Sequence, residues 1–148
     1  MKIRKAFKYR LKTSNEQAQL LRQFAGCCRK VWNLTLAEQK KRLDNGELCE
    51  RYNTLAKNLP IWKKSEELSW LSEAPASALQ QKLKDLDKAI RDAFDKKQPL
   101  KQFPKFKKRG VGDSFRIPQP SQFELEKKRI KLPKIGWLNF YASRPIEG

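Results

Sequence analysis

The stretch "PASALQQKLKDLDKAIRDAF" (Pro75–Phe94) constrains the fold most. Leu79, Leu83, Leu86, Ile90 and Phe94 are spaced 4-3-4-4, which puts them on one face of an α-helix and on no single face of a strand. That face must be buried, so the chain needs a second apolar surface to meet it. Pro75 suits the first turn, where a missing N–H matters least. Off the stripe lie Gln80, Gln81, Lys84, Lys88 and Arg91, on faces open to a partner.

The second surface is readable upstream. Thr13 and Glu16 of "TSNE" have capping-box spacing. The helix they predict carries Leu20, Leu21, Phe24, Cys27, Cys28, Val31, Leu34 and Leu36, and runs to about Leu43 before "DNG" stops it. Phe24 and Trp32 read as core rather than as base-stacking groups. From about Arg51 to Asn58 a short helix is predicted, broken at Pro60 and followed by another short helical piece.

Both ends of the chain read as β. Ile3, Phe7, Tyr9 and Leu11 point one way and Lys2, Arg4, Lys8 and Arg10 the other, which gives a half-buried strand with a basic face toward solvent or phosphate. After Asp95 the composition turns to Pro, Gly, Lys and aromatics, and Pro118 and Pro120 forbid a regular helix. "KRIKLPKIGWLNFYA" predicts two β segments split by "PKIG", with Ile130 and Leu132 on one side. Strand at both ends with helices between is an α+β arrangement, one β unit interrupted by a helical insert. No internal repeat is visible.

Charge then narrows the partner. The 34 Lys+Arg against 16 Asp+Glu leave a net +18, a field suited to nucleic acid or an anionic surface. No apolar run approaches the roughly 20 residues of a membrane span, and "MKIRKAFKYR" lacks the apolar core of a signal peptide. Cys27, Cys28 and Cys49 form no CxxC pair, which points to reduced thiols in a cytosolic compartment, the first two packed in a helix. There is no histidine, which removes Ser-His-Asp and Cys-His catalysis and His-based metal sites. A two-metal carboxylate nuclease needs acids converging from buried strands. Here Glu16, Glu38, Asp85, Asp87 and Asp92 fall on helices, Asp85 and Asp87 point apart, and Asp113 follows Gly112 in a loop.

Phosphate binding is better served. Residues 101–148 hold twelve Lys+Arg and four Asp+Glu, net +8. Lys105, Lys107, Lys108 and Arg109 cluster beside Phe103 and Phe106 in "FPKFKKRGVGDSF", and Gly110 and Gly112 permit a tight turn. Gln80, Gln81 and Gln119 suit base-edge reading, Gln favouring adenine.

Taken together, "KAFKYRLKTSNEQ", "GCCRKVWNLTLAE", "SWLSEAPASALQQKLKDLDKAIRDAF", "FPKFKKRGVGDSFR" and "IKLPKIGWLNF" resemble, in family order, the N-terminal part of the TnpB (OrfB) transposon-encoded RNA-guided DNA nucleases. The resemblance implies a small wedge-type β-barrel split in sequence, from residues 1–12 and 99–148, with a helix-turn-helix-like recognition lobe at 13–98. It implies guide RNA and target DNA as partners, with guide pairing supplying most of the specificity. Motif reading would fall to Tyr52 with Asn53, Gln80 with Gln81, and the loop holding Gln119, Ser121 and Gln122. Lys107, Lys108, Arg109 and Arg116 would hold backbone, together with Lys105 and the strand cations Lys2, Arg4, Lys8 and Arg10. Family members continue into a RuvC-like domain with three carboxylates and a four-cysteine zinc element, where Mg²⁺ and Zn²⁺ reside. This chain stops at "RPIEG", so the expectation is a truncated member that binds without cutting and holds no cofactor itself. A prokaryotic, nucleoid-associated cytoplasmic location goes with that reading, as does self-association through an exposed barrel surface at Trp137 and Phe140. Two alternatives stand beside it: a basic stand-alone DNA- or RNA-binding structural or regulatory protein, and an enzyme cutting DNA by itself or as an oligomer.

Overall fold

A computed structural model describes residues 6, 8–119, 122–124 and 126–141. Lys2, Ile3, Arg4, Phe7, Pro120 and Ser121 lie outside them. The elements are β1 (Leu11–Lys12), α1 (Asn15–Asp44), α2 (Tyr52–Leu55), α3 (Asn58–Lys64), a 3₁₀ turn (Ser69–Glu73), α4 (Ala76–Phe94), β2 (Gln122–Glu124), β3 (Arg129–Leu132) and β4 (Gly136–Phe140). The chain is therefore α+β. It divides into two compact units, Met1–Leu20 with Pro120–Gly148, and Leu21–Gln119.

The first unit is built on one antiparallel sheet in the order β1-β4-β3-β2. Leu11 faces Phe140, Ile130 faces Leu138, and Phe123 faces Ile130. Leu138 and Phe140 are buried, and Tyr9 packs on Phe140 with ring centroids 5.4 Å apart. The β3–β4 turn takes positive φ at Lys134 and Gly136, a conformation glycine adopts without steric penalty. Four departures from the sequence reading sit in this unit. The described strands form an open sheet rather than a closed wedge barrel, being too few and too short to pair every edge. Phe140, expected on an exposed surface, is buried. A short strand at 122–124, unforeseen from sequence, pairs with β3. The capping box is Ser14 with Gln17, one residue on from Thr13 with Glu16: the Gln17 amide donates to Ser14 Oγ and the Ser14 amide to Gln17 Oε1, both at 3.1 Å. Gln17 Nε2 also donates to the Trp137 carbonyl at 3.1 Å, which fixes the helix start to β4.

In the second unit the predicted stripes meet. Trp32 and Leu36 of α1 pack on Leu86 and Ile90 of α4, with Cys49, Ala89 and Phe103 against them. Phe24, Val31, Leu55, Leu59, Leu71, Leu79 and Leu83 complete the interior. Phe94, the last stripe residue, is 60% exposed and meets Phe103 edge-on at 6.0 Å. Pro75 precedes the first residue of α4, and its φ of −56° already matches the helix. Pro60 does not break a helix as expected; it is the third residue of α3, where no intrahelical N–H bond is owed. No described helix is long and apolar enough to cross a membrane.

Cys27 and Cys28 are buried. Burial pushes the Cys28 thiol up to about 11, with the Lys82 charge opposing and Cys27 adding. The thiolate is the reactive form, so at pH 8 Cys27 and Cys28 should label with a maleimide only as fast as the protein unfolds. Mass spectrometry of native and denatured samples checks this, and native labelling of either at the denatured rate would contradict the packing.

Candidate nucleic-acid interface

The basic motif at 103–116 is a strap fastened across α1 and α4 rather than a free loop. Phe103, partly buried, packs the strap's first end against the core. Trp32 Nε1 then donates to the Lys105 carbonyl at 2.9 Å. Asn33 makes a reciprocal pair with Lys107, its Nδ2 donating to the carbonyl at 2.9 Å and its Oδ1 accepting from the amide at 2.8 Å. Each such bond is worth about 0.5–1.5 kcal/mol net, and together they set the strap's register on α1.

The chain next turns at residues 108–111, closed by Val111 N–H to the Lys108 carbonyl at 3.2 Å. Gly110 holds φ +77° and Gly112 φ +63°, which the turn needs and side chains resist. Asp113 fastens it, accepting from the Gly110 amide at 3.0 Å and pairing with Arg29 at 2.8 Å. The return leg crosses α4. Buried Lys82 donates to the Ser114 carbonyl at 3.3 Å, Phe115 meets Phe24 edge-on at 6.0 Å, and Arg116 pairs with Asp85 at 2.9 Å.

The fastening sorts the motif's cations. Lys107 Nζ lies 4.4 Å from the Trp32 ring centre, half-buried, and desolvation lowers its pKa, helped by Lys82 and opposed by Asp85. Arg116 is committed to Asp85. Lys105, Lys108 and Arg109 are exposed around the turn. Lys8 and Arg10 are exposed in the first unit.

Of the residues expected to read bases, Gln80 and Gln81 share one stripe of α4, and Ser121 lies outside the described residues. Ser77, Gln80, Gln81, Lys84 and Asp85 follow i, i+3, i+4, i+7, i+8 spacing. Lys84 sits over the Tyr52 ring at 5.2 Å, Gln81 donates to Asp85 at 2.9 Å, and Ser77 donates to Gln119 at 3.1 Å. Gln80 and Asn53 are exposed. Gln122 lies in β2. Sequence reasoning missed Asn33, Arg29 and Lys82; an Asn in mid-helix beside a core Trp was the one available hint. Asp85, Asp87, Asp92 and Asp113 are each paired with a cation, Asp87 with Arg51 at 3.2 Å and with Arg91 at 3.5 Å. No group of three or more metal-ligating side chains occurs among the described residues.

Residues 1–47 match a helix-turn-helix domain of the OrfB type; in this chain that stretch includes β1 and the single helix α1. All 148 residues align, at 41% identity, with InsQ of Escherichia coli (strain K12), named as an RNA-guided DNA endonuclease. By sequence, the chain resembles OrfB-type (TnpB) proteins. A Streptomyces pristinaespiralis protein, also named as an RNA-guided DNA endonuclease, is 34% identical over 145 residues. The chain spans 36% and 35% of the lengths of these two relatives.

Asp113 should control whether the strap stays docked. The Gly110 amide, then Arg29, hold its carboxyl below the usual carboxylate range. A depressed carboxyl contributes stability above its unfolded pKa of about 3.9 and loses it as pH falls through the lower folded value. Docking should therefore be constant from neutral pH down to about pH 5 and weaken only in stronger acid. Asp113→Ala should expose the Lys108 and Arg109 peptide bonds, raising trypsin cleavage there several-fold at pH 7. Unchanged cleavage would mean that the Trp32 and Asn33 contacts hold the strap alone.

Proposed function

We propose that this chain is the nucleic-acid-binding portion of a transposon-associated OrfB-type RNA-guided DNA endonuclease. In this reading it engages guide RNA and target DNA, and the cutting chemistry resides in the further length that its relatives possess, where Mg²⁺ and Zn²⁺ would also act. The first unit corresponds to the wedge and the helical unit to the recognition lobe, with residues 99–119, expected in the wedge, grouped with the helices. Tyr52, Asn53, Gln80, Gln81 and Gln119, with Ser121 and Gln122, read a motif beside the target, while Lys105, Lys108 and Arg109 grip backbone.

The observation that carries this reading is the docked strap, which holds three exposed cations in fixed register on two helices. A rigid cationic turn engages phosphates without first losing chain entropy, which free lysine loops must do on binding. Binding rather than cutting is favoured because Asp85, Asp87, Asp113 and Glu124 are each tied to an arginine.

Replacing Lys105, Lys108 and Arg109 together with Ala should weaken duplex binding and flatten its dependence on salt. At about 0.9 per phosphate contact, the slope of log K against log salt should fall by about 2.7. Fluorescence anisotropy across a salt series reads this directly. A slope equal to the parent's would remove the strap from the interface.

A further inference from the structure

The strand register creates a second surface, on the first unit, that the strap does not involve. Residues opposite one another in a sheet share a face. Lys12 opposes Asn139, Arg129 opposes Asn139, and Lys131 opposes Trp137. The Tyr141 amide donates to the Arg10 carbonyl at 2.8 Å, which carries the β1–β4 register one pair further and sets Arg10 beside Tyr141. Trp137, Asn139 and Tyr141 are thus on the face opposite Leu138 and Phe140, which are buried.

That outer face is not an ordinary solvated one. It presents Trp137 and Tyr141, the latter 49% exposed, among Arg10, Lys12, Arg129 and Lys131. The carboxylate on it among the described residues, Glu124, is clamped to Arg129 through two bonds of 2.9 and 2.8 Å. The clamp lays the Arg129 guanidinium on the Trp137 ring, 4.3 Å from its centre, and Lys12 Nζ lies 4.4 Å from the centre of the Tyr141 ring. Arg129 and Lys127 hold the Glu124 carboxyl below its usual range, so the clamp stays ionised at neutral pH.

We infer that this sheet face binds an unpaired stretch of RNA, bases stacking on the Arg129–Trp137 layer and on Tyr141, with Arg10, Lys12 and Lys131 facing its phosphates. Aromatic rings and guanidinium planes set in a cationic groove are what single strands stack on, whereas a duplex hides its base faces. Trp137 and Tyr141 are four residues apart, about 13 Å at roughly 3.3 Å per residue. That is far beyond the roughly 3.4 Å rise of neighbouring stacked bases, so the occupant is an extended, unstacked strand. Its assignment as RNA rests on the proposed function, in which RNA is the resident single-stranded partner.

The test titrates the 148-residue chain into labelled oligouridylate, oligodeoxythymidylate and duplex DNA of matched length. Tyr141→Ala and Trp137→Ala should each weaken oligouridylate binding about tenfold, leaving duplex affinity and the salt slope unchanged. Trp137→Phe should retain most of the affinity and guards against a folding defect, as does the exposed position of Tyr141. Oligouridylate affinity unchanged in Tyr141→Ala, or an equal fall on duplex, would overturn the inference. Oligodeoxythymidylate bound as tightly as oligouridylate would overturn the RNA assignment. Duplex bound with the strap's salt slope but no binding of oligouridylate sinks this inference alone; no binding of any probe sinks the proposed function with it.

Discussion

The reciprocal amide pair between Asn33 and the Lys107 backbone is the contact on which the helical unit's surface depends. It joins positions 74 residues apart and, with the Trp32 indole on the Lys105 carbonyl, turns a lysine-rich segment into part of the fold. Asparagine is a poor mid-helix residue because its amide competes for backbone partners. Here that tendency serves tertiary structure, since the amide satisfies a strap peptide instead of its own helix. The rest of the strap fits the register it sets: Phe103 against the core, the glycine turn at 110–112, Lys82 reaching Ser114, and Arg116 on Asp85.

Charge without this fastening would say little. A net +18 chain attracts any polyanion, and free lysines lose rotamer and backbone entropy when they bind. The structure divides its cations by role instead. Lys107, Lys82 and Arg116 are committed to a ring, a carbonyl and a carboxylate respectively and fix geometry. Lys105, Lys108 and Arg109 are left outward on the frame so made. The sheet of the first unit shows the same division on a smaller scale, where Glu124 fixes Arg129 flat against Trp137 and leaves Lys131 exposed.

How much of this the sequence disclosed depended on whether the signal was local. The α4 stripe was legible because spacing alone places Leu79, Leu83, Leu86 and Ile90 on one face, and α1 because its apolar positions run unbroken to the "DNG" stop. Its cap slipped by one residue because Thr13–Glu16 and Ser14–Gln17 both satisfy the same pattern, and only the geometry of the two hydrogen bonds chooses. Pro60 misled because a proline at the third residue of a helix looks, in sequence, like one that ends it. The hairpin around "PKIG" was visible in its alternation, but the burial of Phe140 and the pairing of β2 follow from strand register, which one strand's sequence does not encode. Arg29 and Lys82 were invisible as fasteners for the same reason, and Asn33 was hinted at only by its place in mid-helix: their partners lie 32 to 84 residues away. The family resemblance carried whole-chain identity well, yet its barrel became an open sheet in the described residues.

The central claim is that the strap is docked before any nucleic acid arrives. Hydrogen exchange at the Lys107 amide, measured by NMR in the free protein, addresses that claim most directly. The bond to Asn33 Oδ1 predicts protection well above that of the exposed Lys108 and Arg109 amides, and loss of that protection in Asn33→Ala. Exchange at Lys107 as fast as at its exposed neighbours in the unbound protein would contradict the account.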